Sequence, residues 1–164
     1  MEEKKEISKK SPLSESILGL VVYSPVVYLV IFLLSFFVHL RYPITIIKDG
    51  GLLPFGLLFI FLAPLIIVWS QKSIKSFVAN EQSGKGERKF SYGPYRWSRN
   101  PTYVALALLT LGFALIANSL PMLLGTIIAF YIVNIAIVRR EEKLLHKKYG
   151  DDYEKYKAKV RPWI

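Results

Sequence analysis

Two stretches of this chain gather the residue types that do chemistry. The first, residues 91–103, reads Ser-Tyr-Gly-Pro-Tyr-Arg-Trp-Ser-Arg-Asn-Pro-Thr-Tyr. Gly93-Pro94 is a turn signal, and a glycine lets a backbone come close to a ligand. Arg96 and Arg99 supply two fixed positive charges, suited to carboxylate or phosphate. Tyr92, Tyr95, Trp97 and Tyr103 add aromatic faces that can hold a cation or stack on a base. Asn100-Pro101 reads as a helix start, asparagine as the cap and proline as the first helical residue. The N-terminus of that helix favours an anion. The second stretch, residues 139–164, opens on Arg139-Arg140-Glu141-Glu142 and closes on Arg161-Pro162-Trp163-Ile164. Its Leu144, Leu145, Tyr149, Tyr153, Tyr156 and Val160 recur at helical spacing. Gly150 breaks the run, and Asp151 with Glu154 resembles a capping pair. The expectation is two short amphipathic helices.

Other chemistries are excluded or weak. The chain has no cysteine, which removes disulfides, thiolate metal sites and a cysteine nucleophile. His39 and His146 are the two histidines. Neither has partners at metal-ligand spacing, so no metal site is expected. His39 reads as an interface residue and His146 as a solvated one.

The elements that must position these stretches are long and apolar. Residues 17–40 and 51–70 are two blocks without Asp, Glu, Lys or Arg. Residues 102–117 and 120–138 are two more, separated by a polar turn at Asn118-Ser119 with Pro121 just beyond. About 20 apolar residues in a helix cross a bilayer core, so the reading is an all-α integral membrane protein. It has about four transmembrane helices, the last two forming a hairpin, plus amphipathic cytoplasmic helices at the C-terminal end. Pro25 and Pro64 lie inside spans, where neighbouring helices make a kink tolerable. Residues 71–80 read as an extension of the second span. If the fourth span's helix stops before Glu141 and Glu142, these carboxylates oppose its dipole; if it continues, they sit near the membrane face.

The chain is 164 residues with a net charge of +10, and its hydrophobic share of 52% rules out a disordered polypeptide. The location of the charge decides its meaning. Lys and Arg number four in residues 1–16, two in 41–50, seven in 71–101, none in the 118–121 turn and nine in 139–164. That asymmetry places both termini and the 71–101 connection in the cytoplasm. The positive charge then reflects topology and contact with anionic head groups, with no nucleic acid partner expected. The organisation is a cytoplasmic tail over 1–16, two transmembrane helices over 17–70, and a region over 71–164 that carries the chemistry.

Taken together, the two stretches resemble the isoprenylcysteine carboxyl methyltransferase and phospholipid methyltransferase superfamily of integral membrane enzymes. The family pattern is Gly-Pro-Tyr-Arg, two residues, Arg-His-Pro, one residue, Tyr, then a membrane hairpin and Glu-Glu. A Leu, an aromatic-Gly pair and two spaced tyrosines follow, before a basic, proline-containing end. Here the matching residues are Gly93-Pro94-Tyr95-Arg96, Arg99-Asn100-Pro101 and Tyr103, then Glu141-Glu142, Leu145, Tyr149-Gly150, Tyr153, Tyr156 and Arg161-Pro162. Asn100 stands where the family has His, and it can donate and accept a hydrogen bond but cannot titrate.

The resemblance implies methyl transfer from S-adenosylmethionine to a lipid or isoprenoid acceptor in the membrane, foremost the carboxylate of a prenylcysteine-like substrate. It implies a cofactor site drawn from Gly93, Pro94, Tyr95, Asn100, Pro101, Tyr103, Glu141 and Glu142. Arg96, Arg99 and Glu142 are the residues expected at the reacting groups. A carboxylate acceptor needs no base at neutral pH. A phospholipid amine, the alternative acceptor, must lose a proton, for which Glu141 or Glu142 would serve. Two rival readings are a membrane reductase, which shares the hairpin and tail but has more spans, and a non-catalytic lipid-binding or scaffold protein.

Overall fold

The computed structural model describes residues 12–48, 51–83 and 90–163, and all its regular elements are helical. Helix α1 runs from Pro12 to Arg41 and α2 from Leu53 to Ser83, each unbroken through its internal proline. Residues 71–83 do extend the second span. A single 3-10 turn, Gly93–Arg96, leads into α3, Pro101–Ile116. Helix α4, Leu120–Val133, passes through a π-helical turn, Asn134–Val138, into α5, Arg139–Tyr149, and α6 spans Asp151–Lys159.

Among the described residues, three helical stretches are long and apolar enough to cross a membrane: Tyr23–Arg41, Leu53–Ala79 and Leu120–Tyr149. The fourth apolar helix, α3, has 16 residues, a rise of about 24 Å against a hydrocarbon core of about 30 Å. Outward-facing Leu33, Phe37, Phe61, Leu65, Ile127 and Ile128 are exposed. They are the surface a membrane protein gives to lipid rather than water.

Helix α2 lies along α3, α1 lies along α4, and α3 and α4 form the hairpin. The crossings are close because small residues sit on them. A Cβ added at Gly56 would stand 2.8 Å from the Gly112 carbonyl oxygen, and one at Gly112 would stand 3.0 Å from that of Gly56. A Cβ at Gly125 would stand 2.7 Å from Ser35 of α1. The hairpin turn is locked by Asn118, whose side chain accepts from the Ile46 and Ile47 amides and donates to the Ile47 carbonyl. Ser119 caps α4 by accepting from the Met122 amide at 3.3 Å.

The tail departs from two of the expectations. Its first helix, α5, is no separate element but the continuation of α4, so Glu141 and Glu142 do not end a helix. Gly150, at φ +53°, separates α5 from α6. It also occupies the cap position of α6, and no Asp151–Glu154 capping pair forms. Glu154 faces back to His146 at 3.0 Å and to Lys157 at 3.7 Å instead. The exposed His146 therefore has a carboxylate neighbour as well as solvent.

Candidate functional site

The two chemistry-bearing stretches meet. Arg99 and Tyr103 bracket the start of α3, while Glu141 and Glu142 occupy the first turn of α5. The Tyr103 hydroxyl donates to Glu141 Oε2 at 2.7 Å. Arg99 Nη1 lies 3.1 Å from Glu142 Oε1. Adjacent residues on a helix point about 100° apart, so the two glutamates reach two different partners. The π turn sets their direction. It holds one more residue than an α turn, which rotates everything after it by about 100°.

The Arg99 side chain is only 8% exposed, and that of Glu142 23%. The pair is close in charge but out of line for a hydrogen bond, and Arg99 Nε has no partner among the described residues. Tyr153 of α6, itself buried, is in hydrogen-bonding contact with Arg99. A buried, delocalised cation held on one side by a carboxylate and a phenol, with an N–H to spare, calls for a further anionic or polar acceptor.

Tyr95 and Thr102 hydroxyls lie 3.5 Å apart. The Tyr156 hydroxyl donates to the Tyr95 carbonyl at 2.7 Å, which pins the 3-10 turn to α6. Burial pushes the Tyr95 phenol up from 10.0 to about 12, against a lowering by its Thr102 contact, with nearby Glu141 adding a little. Burial likewise raises Tyr153 and Tyr156. These three phenols are neutral donors at physiological pH.

Several candidates have a partner other than the one their sequence suggests. Asn100 occupies the cap position of α3, but its side chain caps nothing. Its amide donates to the Pro162 carbonyl at 2.9 Å. Ser98 Oγ donates to the same oxygen at 3.3 Å, and the Arg99 amide donates to the Arg161 carbonyl at 3.0 Å. Residues 161–163 thus form a strap across residues 98–100, and the Trp163 ring packs at a tilt against Phe130 of α4, centroids 4.6 Å apart. Pro101 is the first residue of α3, and Pro94, in the 3-10 turn, is buried. Gly93, at φ +50°, brings its backbone against α2: a Cβ there would strike Ser73 Oγ and stand 2.8 Å from Trp69 Nε1. Its close approach is to a helix. Arg96 stands apart from the glutamates, exposed, its guanidinium 5.9 Å from the Trp97 ring.

Below the site, Phe90 sits among Phe77, Tyr149, Tyr153 and Tyr156, with ring centroids 5.0–5.8 Å apart. Phe77 and Phe90 gave no motif signal. Neither did Ser24 and Tyr28, which reach the site from α1. Ser24 is fully buried and its hydroxyl contacts that of Tyr103; the Tyr28 hydroxyl donates to the Tyr103 carbonyl at 3.5 Å. Their one sequence signal is polarity inside an apolar span.

Among the described residues no group of three His, Cys, Asp or Glu could hold a metal. No solved structure matches the chain. A Haemophilus influenzae protein described only as uncharacterized is 43% identical over 63 residues, which are 38% of this chain and 98% of that protein. The family model for phospholipid methyltransferases matches residues 53–152, from the start of α2 into α6. A match over that share of the sequence, spanning both halves of the paired site, makes the chain a member of the phospholipid methyltransferase family, the membrane methyltransferases that act on lipid.

Proposed function

We propose that this protein transfers a methyl group from S-adenosylmethionine to the amine head group of a phospholipid, at the cytoplasmic edge of the α3–α4 hairpin. The observation that carries the reading is the double pairing of Tyr103 with Glu141 and Arg99 with Glu142, which joins the two motif stretches at one place. When bound, S-adenosylmethionine supplies a methyl group on a positively charged sulfonium. The residues present fit it. Two glutamates face one buried guanidinium, so carboxyl oxygens remain as acceptors for a cationic group. Arg99, with its unpartnered Nε, would hold the cofactor's carboxylate. Glu141 would hold its ammonium, and the faces of Tyr95 and Tyr103 suit a sulfonium. Asn100, committed to Pro162, contributes by fixing the turn that carries Arg99.

Methyl transfer is an in-line displacement, so placement matters more than acid–base machinery. An ammonium acceptor must first lose a proton, and a glutamate oxygen is the acceptor within the site. The carboxylate of a prenylcysteine-like lipid is the second reading, and Arg96 favours it. That guanidinium is exposed beside the exposed Trp97, where an anionic group could approach it.

The test is purified full-length protein with methyl-labelled S-adenosylmethionine, a phospholipid extract and a synthetic prenylcysteine. Base-stable label in phospholipid supports the amine acceptor. Volatile label released by base identifies a carboxyl methyl ester and the second reading. Label in neither fraction overturns both and favours a lipid-binding protein without transfer.

A further inference from the structure

Arg99 stands on a stretch with no regular structure of its own. The 3-10 turn ends at Arg96 and α3 begins at Pro101. Asn100, at φ −128° and ψ 48°, lies outside the helical region. A side chain inherits the position of its backbone, so a buried guanidinium on such a stretch needs that backbone held from elsewhere. The hold comes from the other end of the chain. The Arg99 amide donates to the Arg161 carbonyl at 3.0 Å. On either side of it, Ser98 Oγ and the Asn100 side-chain amide donate to one oxygen, that of Pro162, at 3.3 and 2.9 Å. A carbonyl has two lone pairs to offer, and both of these are taken.

The two carbonyls are themselves seated by apolar packing. Before them, Val160 is buried with Tyr149, Tyr153 and Tyr156. After them, Trp163 packs on the cluster that holds Tyr103 and Val133, and its ring lies against Phe130 of α4. Pro162 between them has a fixed φ, so the strap loses little freedom on docking. Arg161 is exposed, which leaves Trp163 as the anchor beyond the carbonyls. We propose that Trp163 is a positioning residue for the transfer site. It seats the 161–163 strap, and the strap fixes the backbone of residues 98–100. That backbone places the Arg99 guanidinium beside Glu142, with Nε spare for the cofactor's carboxylate. The inference rests on the proposed function, which supplies the cofactor that Arg99 would hold.

The test is S-adenosylmethionine affinity by calorimetry, in the full-length protein in detergent, beside a melting curve. Trp163→Ala should bind about tenfold more weakly than wild type, because affinity falls with the share of molecules whose strap is docked. Trp163→Phe keeps a ring on Phe130 and should stay within about twofold. Asn100→Asp has the same shape but turns an oxygen, not an N–H, toward the Pro162 carbonyl. It undocks the strap without touching the apolar packing, so it should weaken binding as Trp163→Ala does, and it carries the test if the alanine variant fails to fold. Combining the two should weaken binding little beyond either one, since both act through one contact. Variants that melt lower but bind the cofactor as wild type does overturn the positioning role and leave the proposed function standing. Additive losses in the double variant overturn the route through Pro162. A wild-type protein that binds no S-adenosylmethionine overturns the proposed function, and the role of Trp163 with it.

Discussion

At the scale of single residues, the site is a small set of committed donors and acceptors, and each commitment has a measurable consequence. Tyr103→Phe removes the donor to Glu141, and Glu141→Gln replaces its carboxyl group with an amide. Each should lower kcat/KM about tenfold or more without loss of fold, checked by label transfer beside a melting curve. Glu142→Ala leaves Arg99 buried without its counter-charge. Breaking such a pair costs about 3 kcal/mol, the low end of the range because Glu142 keeps some exposure; a denaturant or thermal melt in detergent reads it. Tyr95, Tyr153 and Tyr156 give the alkaline behaviour. Their phenols lose protons in the unfolded chain near the ordinary value of 10.0 but hold them when folded, Tyr95 to about 12. The unfolded state then binds fewer protons above pH 10, so stability should be intact below that value and fall as pH rises through about 12. Tyrosinate absorbance should rise together with unfolding rather than before it. Much of this was readable in advance. Arg99, Tyr103, Glu141 and Glu142 stood out as types at a spacing, and they meet. Asn100 did not behave as its position suggests, because the cap rule looks at local sequence and the Pro162 carbonyl comes from sixty residues away.

Among the elements, legibility follows length. The apolar blocks marked the starts of α2, α3 and α4 and the ends of α1 and α3 to within two residues, since a long uncharged run leaves few alternatives, whereas α2 runs 13 residues past its block. The α4–α5 junction was beyond that kind of reading. A π turn changes the phase of a helix by a residue without changing its composition, so no run of residue types records it. Ser24 and Tyr28 were equally unreadable, because a lone serine in an apolar run has no spacing to match. The crossing of α2 and α3 is a sharper test of the packing. A Cβ at Gly112 would stand within 3.0–3.1 Å of α2 backbone atoms, which cannot rotate away as a side chain can. Gly112→Ala should destabilise by about 1–3 kcal/mol, while Gly51→Ala, where a Cβ meets nothing within 4 Å, should be nearly silent. A melting comparison of the two variants decides it.

For the molecule as a whole, the open question is which way it faces. The Lys and Arg distribution leads us to propose that the α2 extension, α5 and α6 are cytoplasmic and that the residue 42–48 connection and the Asn118 turn are not. The sequence makes this easy to measure, because a chain without cysteine is a clean background for single reporters. Lys155→Cys and Lys48→Cys, both at exposed positions, should label from opposite faces of intact cells or oriented vesicles. Labelling from the same face would overturn the proposed topology. The strap at residues 161–163 bears on a different matter, the order of events during synthesis. Arg99 and Asn100 receive their backbone and side-chain partners from Arg161 and Pro162, and Tyr153 completes the surroundings of the guanidinium. A ribosome-bound chain can therefore have inserted every membrane helix and still lack a finished site. Activity would switch on only after residues 161–163 have emerged and docked on residues 98–100, so a copy made only as far as its membrane helices cannot act on the membrane it is entering.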